Sequence, residues 1–304
     1  MQRSAIKSFT GSILALIILF AAAPAAAQAV VEIDKFLASD GDVADRFGTS
    51  VAIEGNTAAI GAPDPLGDSS GAAYIFTFDG ESWSEQQKLV SSDAQLRDDF
   101  GHALAIDGDT LVVSAPREDT LGENVGAVYV FTRSVGSWSQ QAKLLPDDDR
   151  ISGGNGFGES VAIDGDTVVV GMLNGVNNGG TGAAYVFVRS GSTWSQQAIL
   201  EADDIGSEGR FGSSVSVSGE TVVVGSPDHQ HAGTMQSSAY VYVRSGTSWS
   251  QQAELFASDG VAGREFGLSV AVDGDTIVVA DTLADGVMVD TGAAYVFVRD
   301  GAAW

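Results

Sequence analysis

The stretch FGESVAIDGDTVVVGM at residues 157–172, continued by TGAAYVFVRSGSTWSQQAIL at 181–200, decides the fold. Ser160-Val161-Ala162-Ile163 reads as a first strand. Asp164-Gly165-Asp166 then turns the chain, because glycine accepts the positive φ that a tight hairpin requires. The second strand, 167–171, carries Val168-Val169-Val170 and is apolar on both faces. The third, 183–188, sets Tyr185 and Phe187 against Val186 and Val188, again apolar on both sides, which is the pattern of a strand buried on both faces. A Ser/Gly turn over 189–193 leads to a polar fourth strand, 194–200, whose Ser195-Gln196-Gln197-Ala198 suits a wet edge. Such a sheet buries its two apolar faces only between neighbours.

The sequence supplies neighbours. Phe-Gly recurs at Phe47, Phe100, Phe157, Phe211 and Phe266, and tyrosine at Tyr74, Tyr129, Tyr185, Tyr240 and Tyr295. Trp83, Trp138, Trp194, Trp249 and Trp304 complete a period of about 55 residues. The repeats run approximately 30–83, 84–138, 139–194, 195–249 and 250–304. The hairpin glycine is present in every copy. Three copies keep an acid on each side of it, while Glu54-Gly55-Asn56 and Ser218-Gly219-Glu220 keep one. The expected fold is all-β: a β-propeller of four-stranded antiparallel blades, with five repeats visible. They form either a closed five-blade ring or part of a larger, seven-blade-like ring. The segment 30–40 aligns with a fourth strand and its exit, so closure predicts that it completes the last blade, which reaches only Trp304.

Composition narrows the function. The 304 residues hold 40 acids and 15 bases, a net charge of −25, which argues against nucleic acid as a partner. No cysteine is present, so thiol chemistry, disulfides and Cys-ligated metals are excluded. Residues 1–29 read as a signal peptide. Arg3 and Lys7 precede an apolar run from Ile13 to Ala23, and Ala27-Gln28-Ala29 gives a small-x-small cleavage pattern. The run is short for a membrane span, and no transmembrane segment is expected after cleavage. The protein is therefore expected to be secreted, periplasmic or at the cell surface.

Phe47-Gly48 with Gly61-Ala62-Pro63, Phe100-Gly101 with Ser114-Ala115-Pro116, and Phe211-Gly212 with Gly225-Ser226-Pro227 resemble the FG-GAP repeat of the integrin α-subunit propeller. The Trp-Ser-Gln-Gln-Ala fourth strand is closest to the bacterial variety. Gly171-Met172-Leu173 and Ala280-Asp281-Thr282 depart from the second half of the motif. The resemblance implies a β-propeller, often seven-bladed, with extracellular recognition or adhesion as its role. The integrin-type calcium loop has no counterpart here, because a short hairpin stands where it would lie, too short to wrap a cation needing six to eight oxygens.

Acidic segments precede each Phe-Gly. Asp40, Asp42 and Asp45 in the first are the candidate Ca2+ ligands, since calcium prefers clustered carboxylates. Similar segments hold Asp93 with Asp98-Asp99, Asp147-Asp148-Asp149, and Asp203-Asp204 with Glu208. Solvated turns are the competing reading, because Asp bonds its own backbone. Asp228-His229-Gln230-His231 reads as an inserted loop more than a metal site. His102 has no Ser or Asp partner in the sequence to make it a base. No nucleophile elbow, phosphate loop or His-Glu-x-x-His occurs. The connection between second and third strands varies most among copies, which is where a repeat scaffold carries specificity. The expected function is a non-catalytic binding or adhesion module for an extracellular protein or glycan. The alternatives are an extracellular hydrolase or lyase with a central site, or a structural, cation-binding matrix protein.

Overall fold

A computed structural model describes residues 34–64, 69–148, 151, 154, 156–173, 181–202, 209–228, 230–231, 234–235, 237–259, 265–284 and 291–304. The chain divides into a leading unit, Met1–Lys35, and a body, Phe36–Trp304. The signal peptide read over 1–29 lies outside the described residues.

The body is all-β, in five antiparallel sheets that follow one another in chain order. Blade 1 comprises Ser50–Glu54, Thr57–Ala62, Ala72–Phe78 and Trp83–Leu89. Blade 2 comprises Leu104–Asp107, Thr110–Ala115, Ala127–Ser134 and Ser137–Leu144. Blade 3 comprises Phe157–Asp164, Thr167–Met172, Ala183–Ser190 and Thr193–Leu200. Blade 4 comprises Ser214–Ser218, Thr221–Ser226, Ser238–Ser245 and Ser248–Leu255. Blade 5 has Ser269–Asp273, Thr276–Asp281 and Ala293–Val298. A two-residue hairpin, Gln230–His231 with Thr234–Met235, lies within the loop of blade 4.

The second strands of blades 1 to 4 are buried along their whole length, as their two apolar faces require. Thr167 pairs with Asp164, so the first hairpin of blade 3 has a two-residue loop, Gly165-Asp166. Glycine at the first loop position has φ +55, as it does in blades 1, 2 and 4. The second turn is tighter than the expected 189–193. Ser190 pairs with Thr193, which places Arg189 inside the third strand.

Each junction between blades is one apolar cluster. Val112, Val128, Val130 and Leu144 of blade 2 pack against Phe157, Val168, Val170, Tyr185 and Phe187 of blade 3. The Phe-Gly ring stands edge-on to two aromatics of its own third strand: Phe157 lies 5.4 Å from Tyr185 and 6.1 Å from Phe187. The repeated tyrosines are therefore core.

The Gln-Gln pair of the fourth strand has a geometric cause. Its register shifts between Val186 and Phe187, leaving Gln197 as a bulge. A bulge re-aims a side chain, and Gln197 accepts from the Trp249 indole of the next blade at 2.8 Å. Gln141 and Gln252 take Trp194 and Trp304 in the same way. In blades 2 and 3 the first glutamine of the pair reaches backwards, whereas in blade 1 the first, Gln86, is the bulged residue and donates forwards to the Gly136 carbonyl at 2.8 Å. Gln140 accepts from the Ser92 amide, and Gln196 from the Asp147 amide.

The ring is open. Val51 and Ile53 on blade 1 are 70% and 66% exposed, and Val296 on blade 5 is 64% exposed, so among the described residues no blade covers these side chains. Closure by completion of the last blade is not seen, and that sheet has three strands among the described residues. The part of the segment that is described packs on blade 1. Phe36 stacks on Phe76 at 4.5 Å, and Ser39 donates to Glu85. These are the contacts that Leu89 and Ser92 make with Phe131 and Gln140 one blade later. The segment occupies the place of a preceding blade's exit, as its alignment predicts.

Candidate functional site

Antiparallel order sends the hairpins of every blade to one rim, here called lower. The connections from fourth to first strand, and from second to third, emerge at the other, upper rim.

The lower rim is a lattice repeated blade by blade. The acid after the hairpin glycine holds an arginine from the end of the third strand. Asp109 takes Arg133 at 2.7 Å, Asp166 takes Arg189 at 2.7 Å and Asp275 takes Arg299 at 2.6 Å. Each arginine lies over its own blade's tryptophan, 4.8–5.4 Å from the ring. Each also reaches back a blade to donate to a threonine, as Arg189 does to Thr110 at 2.9 Å. The acid before the glycine works forwards: Asp107 accepts the Gly165 amide at 2.6 Å. The acid-Gly-acid motif is thus a junction device.

The upper rim diverges. Among the described residues, every non-glycine with positive φ apart from Val135 lies there, Arg46, Arg97, Asp99, Asn124 and Arg210 among them. Side chains held in such backbone tend to mark functional segments. Arg210 pairs with Asp228 at 3.3 Å. In blade 2 the two charges change places, and Asp99 pairs with Arg117 at 3.1 Å.

At blade 2 these loops enclose a cavity of about 620 Å³. Its walls come from the segment before Phe100, the loop after Pro116, and the entry to blade 3. The loop is anchored below by Glu118, almost fully buried, which accepts from Lys143 at 2.8 Å and from the Thr120 amide at 3.0 Å. Asp119 caps it from within, accepting the Asn124 amide at 2.7 Å. Gly154 donates to the Glu123 carbonyl and Phe157 to that of Val125, which ties the loop to blade 3.

The lining carries both charges: Arg97, Arg117 and His102 against Asp99, Asp119, Glu123 and Glu159. His102 Nε2 lies 3.6 Å from Glu159 Oε2. That partner raises the imidazole above its ordinary value, and the imidazole lowers Glu159 below its own. Asp99 is buried beneath the cavity and burial pushes its carboxyl up, opposed by Arg117. Its Oδ1 has no hydrogen-bond partner. Asp98, buried behind it and close to Glu118 and Asp119, is pushed up to about 6. Arg97 projects from the rim, exposed and without a side-chain partner among the described residues.

Of the acidic candidates, Asp40 is a structural acceptor. Its carboxylate takes Tyr74 Oη at 2.8 Å and Lys88 Nζ at 2.7 Å, a triad repeated by Asp93, Tyr129 and Lys143. Asp42 and Asp45 close a local turn, with the Asp42 amide donating to Asp45 and the Val43 amide to Asp42. No group of three or more acidic or imidazole residues placed to hold a metal ion occurs among the described residues. His229 lies outside the described residues, as do 203–208 of the fourth acidic segment; Asp147 and Asp148 are described, and Asp149 is not. Sequence reading missed the His102–Glu159 pair. Both residues directly follow a Phe-Gly, in consecutive blades whose first strands lie side by side, and aligning the copies would have joined them.

Successive four-stranded blades joined by repeated lower hairpins and divergent upper loops define a β-propeller. The FG-GAP repeat profile matches residues 30–76, 83–131, 138–187, 194–242 and 249–297, and the chain belongs to the FG-GAP repeat family. No curated protein matches the chain. Repeats of this family form protein-binding propeller modules that are generally non-catalytic. No helix among the described residues is long and apolar enough to cross a membrane.

Proposed function

We propose that the protein is an exported, non-catalytic recognition module that binds an extracellular protein or glycan with its upper rim, through the cavity at blade 2. The leader sequence at 1–29 supports export. The carrying observation is that the upper-rim loops of blade 2 surround a polar cavity whose lining includes an arginine without a side-chain partner among the described residues and a buried carboxylate oxygen with no hydrogen-bond partner. Polar groups fixed by a rigid scaffold around a concave site are what a ligand is read by. Both signs of charge face the cavity, which suits a ligand offering donors and acceptors together, such as a peptide segment or a hydroxyl-rich glycan.

The test is a screen of the purified protein on glycan and peptide arrays, repeated with Arg97→Ala combined with Glu123→Ala. Binding that falls at least tenfold in the double variant, with unchanged melting, supports the reading. Binding untouched by it, or turnover of any bound compound, overturns it.

A further inference from the structure

Blades 1 and 2 build the same three-residue group at the upper rim and finish it differently. In blade 2, Lys143 lies 5.4 Å from the centre of the Tyr129 ring and donates to Asp93 at 2.6 Å, while the tyrosine hydroxyl donates to Asp93 at 2.8 Å. In blade 1, Lys88, Tyr74 and Asp40 repeat these contacts at 5.2, 2.7 and 2.8 Å. Blade 2 then adds a second carboxylate. Glu118, 1% exposed, accepts from Lys143 at 2.8 Å, and Thr120 Oγ1 accepts from the same ammonium at 2.7 Å. All three donors of that ammonium are thereby used.

Lys88 is left short. It donates to Asp40 and to no other group among the described residues, and its side chain is 39% exposed against 17% for Lys143. The sequence gives the reason: Pro63-Asp64-Pro65 stands where blade 2 has Pro116-Arg117-Glu118, so the second carboxylate is missing from that position. A pocket of about 100 Å³ lies beside Lys88 instead. Its walls match the surroundings of Glu118. Lys88, Tyr74 and Asp45 line it, as Lys143 touches Glu118 and as Tyr129 and Asp98 feel the Glu118 charge. Ala62 lines it where the Ala115 carbonyl receives the Glu118 amide, and Gly71 where the Gly126 amide donates to the Glu118 carbonyl. Ser69 and Ser70 add hydroxyl-bearing residues to the lining, the chemistry that Thr120 supplies in blade 2.

We propose that this pocket binds the carboxylate of a small organic acid, which occupies in blade 1 the space that Glu118 fills in blade 2 and accepts from Lys88. The site is separate from the cavity at blade 2 and does not depend on it. Charge is no obstacle, because blade 2 already holds the equivalent state: Asp93 and Glu118 share one lysine with Asp98 close by. Size sets the class of ligand. The pocket is well below the roughly 300–1,000 Å³ of sites for drug-sized molecules, so it admits a group of a few heavy atoms such as acetate and not a sugar ring. A charge-assisted hydrogen bond gives such a group its hold. Few contacting atoms and a protein charge of −25 keep the affinity in the millimolar range.

Saturation-transfer NMR from the purified chain to acetate tests this, with sodium chloride balancing the ionic strength throughout. The acetate methyl signal is expected to receive saturation from the protein and to level off in the millimolar range. Lys88→Met removes the donor. Ser70→Leu fills the pocket and leaves the lysine in place. Each variant, checked by circular dichroism to be folded, is expected to weaken acetate binding about tenfold or more. No transfer to acetate in the wild type overturns the proposal, as does transfer that survives Lys88→Met. Transfer lost in Arg97→Ala but kept in Lys88→Met also overturns it, because the acid then sits in the cavity at blade 2.

Discussion

The two rims of the propeller are built from the same repeats and do opposite things. At the lower rim, the arginine–acid pair repeats in blades 2 to 5. Asp107 grips the next blade's hairpin, Asp166 grips its own arginine, and the arginine reaches the previous blade. At the upper rim the same scaffold position carries four residue types in five copies: Arg46, Asp99, Gly156, Arg210 and Glu265 all directly precede the repeated phenylalanine. A position that serves an internal junction keeps its chemistry, as when Ser218 accepts the Gly274 amide as Asp107 accepts that of Gly165. A position that need only face solvent or ligand drifts. The contrast separates stability from recognition without reference to any other protein.

The largest effect belongs to what both rims rest on. Phe157→Ala removes a fully buried ring that packs on Tyr185 and Phe187 at the blade 2–3 junction. It is expected to cost about 3–5 kcal/mol in denaturant unfolding, and would blunt the contrast by damaging both rims. The next effect sharpens it. Arg189→Ala loses bonds to Asp166 and Thr110 and the stack on Trp194, for about 1–2 kcal/mol. Arg97→Ala at the upper rim is expected to change stability by less than about 0.5 kcal/mol. Equal losses at the two arginines would abolish the distinction between the rims.

The fold was legible because the signals were local and repeated five times. Periodic apolar residues gave the strands, and Asp-Gly gave the hairpins. The partners of the polar residues were less legible. The acids around the hairpin glycine looked like turn chemistry, because partners such as Arg189 for Asp166 and Gly165 for Asp107 stand 23 and 58 residues away. The doubled glutamine made sense only once a bulge turned its second member towards the next tryptophan. His102 had no partner within its own repeat, since that partner, Glu159, belongs to the next blade. Sequence periodicity reports what one repeat needs for itself. It is silent on what neighbouring repeats exchange unless copies are read against each other with an offset of one blade.

A smaller effect probes the upper rim by pH. His102 faces Glu159 across 3.6 Å, with Asp99 and Arg117 also acting on it. Its folded value lies above the ordinary 6.5, so its contribution to stability is complete below about 6.5 and is lost as pH rises through the raised value. Glu159 is lowered from 4.5, so its contribution is present above about 4.5 and is lost as pH falls through the lowered value. The pair is therefore complete between those limits. His102→Gln should lose most stability, relative to wild type, near pH 5–6 and least above neutrality. Taking the difference between the two proteins cancels Asp98, whose raised value near 6 acts in the same sense as the histidine and also favours the fold as pH falls. A difference that does not change with pH would remove the histidine from the rim's electrostatics.

The smallest expected effect concerns calcium, and the argument is about competition for oxygen atoms. Asp40 already serves Tyr74 and Lys88, and removing it from them would leave a lysine and a tyrosine without their acceptor. Asp42 and Asp45 hold their turn by accepting backbone amides, so a cation would have to displace hydrogen bonds that the loop uses to exist. Millimolar calcium, compared with a chelator, is expected to leave the melting temperature of the chain unchanged. Asp40→Asn should lower it in both conditions, because the Lys88 ion pair is lost. A calcium-dependent rise that vanishes in Asp40→Asn would instead show that this segment opens to bind the ion, and would make the first acidic loop a second functional element of the upper rim.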